Sequence, residues 1–220
     1  MSKGIILLSG GLDSSVTAYI AKKECKELNA LFVEYGQRHI REWESSSKIA
    51  ESLGVPLKTI SVPISELVET SLTGQKAVPM GPSDGIPDTW VPQRNSVFLA
   101  LAFAYAETLE ADRVYIGVNH IDYSGYPDCR PEFIESAQIT FNMASKRYVA
   151  TGVKTRIMTP LLQLSKKEII RVGFGLEVPF GLTWSCYQGG EKACGKCDSC
   201  SIRLRAFEAV GIQDPLEYEE

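Results

Sequence analysis

Apolar positions fall along the chain in two kinds of block, short runs and longer stretches with an apolar residue every three or four positions. The short runs, at 4–8, 30–33, 57–62, 114–118 and 155–161, predict five β-strands. The longer stretches predict helices over 16–28, 42–53, 94–106, 131–148, 165–172 and 201–210. Gly54 with Pro56 ends the second helix, and Ser165 caps the fifth. Residues 97–106 are apolar nearly all round, so that helix should be buried. Strands alternating with helices, the first of them (4–8) without charge, indicate an α/β fold whose mainly parallel five-stranded sheet is doubly wound and covered on both faces. A single domain over 1–220 accommodates all of it, with 183–220 as a small cysteine-bearing and helical element at the C-terminal end. Between them, 73–93 carries Gly74, Pro79, Gly81, Pro82, Gly85, Pro87 and Pro92 and reads as a long loop, either a functional lid or a connector.

Charge and cysteine placement narrow the class. A formal net charge of −4 disfavours broad nucleic-acid binding, which needs a cationic surface. The longest apolar stretch, 97–106, is too short to span a bilayer, and Met1-Ser2-Lys3 leads directly into the first strand, so a cytoplasmic protein is expected. Six cysteines occur. Cys25 reads as a packing thiol in the first helix. Cys186, Cys194, Cys197 and Cys200 crowd together, which in a cytosolic chain points to a metal rather than to disulfides. Four thiolates close a tetrahedral zinc shell with no open position, the mark of a structural ion. An iron–sulfur cluster would use the same ligands, whereas a redox dithiol needs only two of them. Gly189, Gly190 and Gly195 give the backbone freedom to wrap an ion.

The candidate chemistry centres on 9–15, Ser-Gly-Gly-Leu-Asp-Ser-Ser, between the first strand and the first helix. Its two glycines are expected to turn with positive φ. The hydroxyls of Ser9, Ser14 and Ser15 meet the free N–H groups of the first helical turn, where an anion is favoured. The stretch has neither the Gly-Lys-Ser/Thr ending nor the Gly-x-Gly-x-x-Gly of the commoner nucleotide loops. It resembles the SGGxDS loop of the PP-loop ATP pyrophosphatases. That resemblance implies an adenine nucleotide α-hydrolase-like fold, with Leu8, Ser9, Gly10, Gly11, Leu12, Asp13, Ser14, Ser15, Val16 and Thr17 forming the nucleotide cradle. Asp13 is the nearby carboxylate for magnesium or its waters.

Further stretches narrow the resemblance. Residues 33–39 (Val-Glu-Tyr-Gly-Gln-Arg-His), 91–95 (Val-Pro-Gln-Arg-Asn), 117–119, 122–131 and 183–187 (Thr-Trp-Ser-Cys-Tyr), with the later cysteines, are similar to the 7-cyano-7-deazaguanine synthase family of queuosine-precursor biosynthesis. Ser15 stands where many relatives carry threonine, and the hydroxyl is kept. The resemblance implies ATP-dependent conversion of 7-carboxy-7-deazaguanine and ammonia into a nitrile, by carboxylate activation (adenylation), amide formation and a second activation. Its cofactors would be ATP, Mg2+ and a structural Zn2+. Its partners would be these small molecules and a second copy in a homodimer, with neither nucleic acid nor membrane. Free ammonia is the expected donor, because no glutaminase domain is fused.

Residue by residue, Asp13, Ser14, Arg94 and Lys166 are the expected catalytic groups. Arg94 begins a helix, where it can grip phosphate or carboxylate with two hydrogen bonds. Lys166 can neutralise phosphate, and Asn95 joins the nucleotide site. Arg38, Asn119, Asp122, Tyr123, Tyr126 and Asp128 are expected at the substrate, the tyrosines stacking on a flat heterocycle and the aspartates accepting its N–H groups. Cys129 is not expected to be a nucleophile, since adenylation needs none. An amidating or thiolating relative would share the loop without needing 122–131. A zinc module binding nucleic acid or protein is the non-enzymatic alternative, and only Lys192, Lys196, Arg203 and Arg205 near the cysteines would favour it.

Overall fold

Ile5 and Leu7 point to one side of their strand and Ile6 and Leu8 to the other, and all four are buried. A strand buried on both faces needs helices on both, and the rest of the chain supplies them. The computed structural model describes residues 2–74, 76–78, 85–119 and 126–219. In it β1 (Lys3–Leu7), β2 (Glu27–Glu34), β3 (Leu57–Ser61), β4 (Arg113–Ile116) and β5 (Arg156–Met158) form one sheet of order β3-β2-β1-β4-β5. Every neighbouring pair is parallel. Helices α1 (Leu12–Glu24) and α2 (Arg41–Leu53) cover the face of Ile6 and Leu8. Helices α3 (Arg94–Leu109) and α4 (Pro131–Met143) cover the face of Ile5 and Leu7. After α5 (Lys146–Thr151), α6 (Lys166–Gly175) and α7 (Asp198–Val210) pack outside α1 around Val16, Ile169, Ile170 and Phe207.

The expected α/β class, strand count and parallel sheet match this architecture, and several local boundaries differ. The first helix stops at Glu24 rather than running to Leu28. Cys25 is already extended (φ −111°, ψ 137°), and Leu28 is drawn into β2 by its register with Gly4 on β1. The stretch predicted as one helix over 131–148 is two, because the Ser145 hydroxyl accepts the Tyr148 N–H and starts a new helix. Helix α3 is buried along one side only: Leu99, Ala102, Phe103 and Ala106 face the sheet, while Ala100 and Ala104 are exposed. Apolar character all round therefore overstated its burial. The Ser165 cap is present as a full capping box with Glu168.

The C-terminal segment is pinned by a pair that reads as ordinary surface charge in the sequence. The Arg203 and Asp214 side chains are both 2 % exposed and meet at 2.7 Å. Arg203 also donates to the Thr183 hydroxyl at 2.7 Å and to the Phe180 carbonyl at 3.0 Å. Removing one partner of so buried a pair strands the other charge, at a cost of about 3–5 kcal/mol.

Candidate active site

β1 stands at the centre of the sheet, with β2 on one side and β4 on the other. Connections diverge there, and the carboxyl ends of the strands open into a crevice. The described residues line a cavity of about 280 Å³ at that place, walled by the exits of β1, β2 and β4 and by residues from 184–203.

The loop after β1 is shaped by close packing. Gly10 has φ +78°, and a Cβ there would lie 2.5 Å from the Ser46 backbone nitrogen. Gly11 is extended (φ −73°, ψ 167°), so only one of the two glycines needs the left-handed region, contrary to expectation. No side chain caps α1, which leaves first-turn N–H groups without helical partners at the cavity. The Ser9 and Ser14 hydroxyls bond each other at 3.0 Å. Ser15, Val16 and Thr17 are turned fully inward, and the Ser15 and Thr17 hydroxyls donate to the Gly11 and Asp13 carbonyls. Their side chains hold the helix start and are not among the residues that line the cavity. Gly117, at the exit of β4, lets the backbone of Ser14 approach, for a Cβ there would lie 2.8 Å from its nitrogen.

Asp13 and Lys166 meet across the cavity, 153 positions apart, with Nζ at 2.6 and 2.8 Å from the two carboxylate oxygens. Lysine in the first turn of α6 opposes the helix dipole. The capping box and Asp13 offset that cost, so the ammonium is held at the mouth of the loop.

The other expected residues divide. Arg94, Asn95, Asn119 and Tyr126 line the cavity. The Arg94 guanidinium lies over the Tyr35 ring, 5.6 Å from its centroid. Asn119 spends its amide hydrogens on the carbonyls of Leu161 and Leu164, and Tyr126 bonds the Thr89 hydroxyl at 2.8 Å. Arg38 instead donates to the carbonyls of Gly74 and Lys76, at 2.8 and 2.6 Å, tying down part of the long loop rather than lining the cavity. Asp128 is buried and accepts the Asn95 N–H at 3.1 Å, so it anchors the start of α3. Its other oxygen, Oδ1, is buried with no hydrogen-bond partner among the described residues. Asp122 and Tyr123 lie outside the described residues. Burial, with Asp128 beside it, pushes the Cys129 thiol up to about 12, so it stays protonated and is no nucleophile.

Sequence reading missed Glu42. It sits in the first turn of α2, where an acidic residue passes for a dipole-friendly surface group, yet it is part-buried and lines the cavity. Burial pushes its carboxyl up from 4.5 to about 7, with Arg94 pulling the other way. Between those two values the folded state binds more protons than the unfolded chain, so this group subtracts stability as pH rises and the loss is complete above 7. Glu42→Gln should therefore raise Tm at pH 8 by roughly 4–8 °C, and by almost nothing at pH 4. Calorimetric melts at the two pH values check this.

The cysteine sulfurs of 186, 194, 197 and 200 all lie within 4.8 Å of one another and all four residues are buried. Thiolates at 2.3 Å from one tetrahedral ion stand ~3.8 Å apart, so the cluster suits a single ion with little movement. A cube would separate the sulfurs onto different irons. Backbone N–H groups of Gln188 and Cys194 donate to Cys186, and those of Lys196 and Cys197 to Cys194. These bonds favour thiolate. Gly189 and Gly195 take positive φ as expected, and Gly190 does not. The cluster is joined to the cavity: Trp184, two residues before the first ligand, donates its N–H to the Gly10 carbonyl at 2.9 Å. Arg41 stacks on its ring and bonds the Gly190 carbonyl.

The family model described as Queuosine biosynthesis protein QueC matches residues 3–211. The chain belongs to the QueC family. It is 45% identical over 222 residues to a 7-cyano-7-deazaguanine synthase of Thermoplasma acidophilum, covering 99% of this chain and 92% of the relative. It is 48% identical to one of Trichodesmium erythraeum, covering 97% of this chain and 99% of the relative. Among solved structures it resembles an NMN synthetase from Francisella tularensis, with a TM-score of 0.54 at 18% identity. That match covers 96% of this chain and 78% of the other. The last likeness concerns fold alone. Among the described residues of this QueC chain no helix is long and apolar enough to cross a membrane.

Proposed function

We propose that the protein converts 7-carboxy-7-deazaguanine and ammonia into 7-cyano-7-deazaguanine at the expense of ATP. The observation that carries this reading is the uncapped start of α1, held open at the carboxyl edge of the sheet beside the Asp13–Lys166 pair, in a chain of the QueC family. A carboxylate is a poor electrophile, so one oxygen must first become a leaving group. Attack by that oxygen on the α-phosphorus gives an acyl adenylate and pyrophosphate. The first-turn N–H groups of α1 and the Lys166 ammonium stabilise the charge gathering on the departing pyrophosphate. Ammonia displaces AMP, leaving the amide. A second activation, on the amide oxygen, followed by loss of the two N–H protons and of AMP, leaves the nitrile.

Asp13 is the carboxylate that would hold magnesium or its waters, and Lys166 is the counter-charge it would exchange for the metal. Magnesium supplies charge neutralisation of the triphosphate. The four cysteines would hold zinc in a structural role, since no coordination position is left for water. Exposed Ile139, Met143 and Val149 on α4 and α5 suit the homodimer expected from the resemblance.

The test is mass spectrometry of purified protein with ATP, magnesium, ammonium and 7-carboxy-7-deazaguanine. Nitrile and AMP are expected together. Intact ATP with a metal-loaded preparation overturns the reading, and ADP in place of AMP overturns the adenylation step alone.

A further inference from the structure

Glu42 and Arg94 come to the cavity from different helices, the first turns of α2 and α3, and close on the same place. They feel each other's charge, yet no ion pair joins them among the described residues: Arg94 bonds the Tyr35 hydroxyl and feels the charge of Asp128, while the Glu42 carboxylate is left without a partner. A part-buried carboxylate left without a hydrogen-bond partner is costly unless a ligand completes it, and a guanidinium facing the same cavity keeps donors free for that ligand. Such a ligand must offer an acceptor next to donors. Beside them stand the rings of Tyr35 and Phe98, 5.6 Å apart by centroid, both lining the cavity. They form an apolar wall for a flat ring.

We infer that Glu42 and Arg94 form the clamp that reads the guanine-like edge of the substrate, Glu42 accepting from the ring N–H and the exocyclic amine while Arg94 donates to the carbonyl oxygen. A guanine edge runs acceptor, donor, donor, and an arginine beside a carboxylate supplies the complement in that order. Glu42 is a recognition residue that the sequence reading did not name. Asp128 anchors α3 through one oxygen and does not line the cavity, whereas the Glu42 carboxylate lines it and has no hydrogen-bond partner among the described residues. Its pKa near 7 leaves much of it ionised at neutral pH and ready to accept. This inference rests on the function proposed above.

An adenine edge also pairs a donor with an acceptor, and Glu42→Gln separates the two occupants. Glutamine serves adenine with two hydrogen bonds, but against a guanine edge it replaces one acceptor with a clashing donor. Steady-state kinetics of E42Q should show KM for 7-carboxy-7-deazaguanine raised about 10- to 100-fold, with KM for ATP within about twofold of wild type. The analogue lacking the 2-amino group should be handled equally poorly by both proteins. An unchanged KM for the deazaguanine, or a rise in KM for ATP instead, overturns the clamp while leaving the reaction intact. Calorimetric titration with 7-carboxy-7-deazaguanine in the absence of ATP separates the remaining cases. Binding by wild type that weakens in E42Q, without turnover, upholds the clamp and sinks the reaction. No binding and no turnover by wild type overturns both.

Discussion

Asp13→Ala should lower kcat by about 10²- to 10³-fold while leaving KM for ATP unchanged or lower, and Lys166→Met should lower kcat comparably while raising KM for ATP. The opposite movements of KM follow from the pair itself. Lys166 holds both oxygens of Asp13 at 2.6 and 2.8 Å. Deleting the carboxylate leaves an unbalanced ammonium at the helix start, which draws the triphosphate while removing the group for magnesium. Deleting the ammonium leaves a carboxylate facing incoming phosphate, and like charges repel. In the double variant the two ground-state effects cancel, so the KM changes should not add. Steady-state kinetics on the three variants, with ATP and magnesium varied separately, gives the answer. Equal rises in KM for both single variants would show that the pair only braces the fold.

Cys197→Ser should yield protein without its metal, with Tm lowered by more than about 10 °C and no nitrile formed. Apparent binding free energies for structural zinc are about 10–16 kcal/mol, as large as the whole net stability of a domain. The consequence reaches the cavity through covalent neighbours. Trp184, Ser185 and Tyr187 flank the first ligand and line the cavity, and the Trp184 N–H is tied to Gly10. Cys186 is driven toward thiolate by hydrogen bonds from Cys197 and Cys200, so the protons shared in the cluster leave when metal enters. Elemental analysis, melting and activity of the variant check all three expectations. Retained activity with no bound metal would remove the cluster from the architecture of the site.

Local signals were legible where they act locally. Gly54 takes the left-handed conformation that ends α2, Ser165 makes its capping box, and the loop at 9–15 lies where a strand meets a helix. What stayed hidden depends on partners far along the chain. Glu42 looks like any acidic residue in a first helical turn, and only the approach of Arg94 and the cavity walls makes it a part-buried carboxylate. Arg203 looks like a solvated helix residue until Asp214 folds back upon it. The end of α1 was misplaced because Leu28 fits a helical spacing as well as a strand, and pairing with Gly4 decides between them. Arg38 and Asp128 are expected at the substrate from their polar character alone, and the structure shows backbone groups bonded to Arg38 and to one oxygen of Asp128.

The strand at the centre of the sheet is also the first to leave the ribosome. One edge of β1 finds β2 soon after, since Lys3 pairs with Glu27. The other waits for Arg113–Ile116, and the turn at Gly10 waits for Trp184. At about 5–20 residues per second, an apolar strand edge stays open for several seconds of translation. Such long-range closure makes for slow folding and exposure to aggregation. A nascent chain stalled before residue 184 therefore lacks the contact that braces the turn at Gly10.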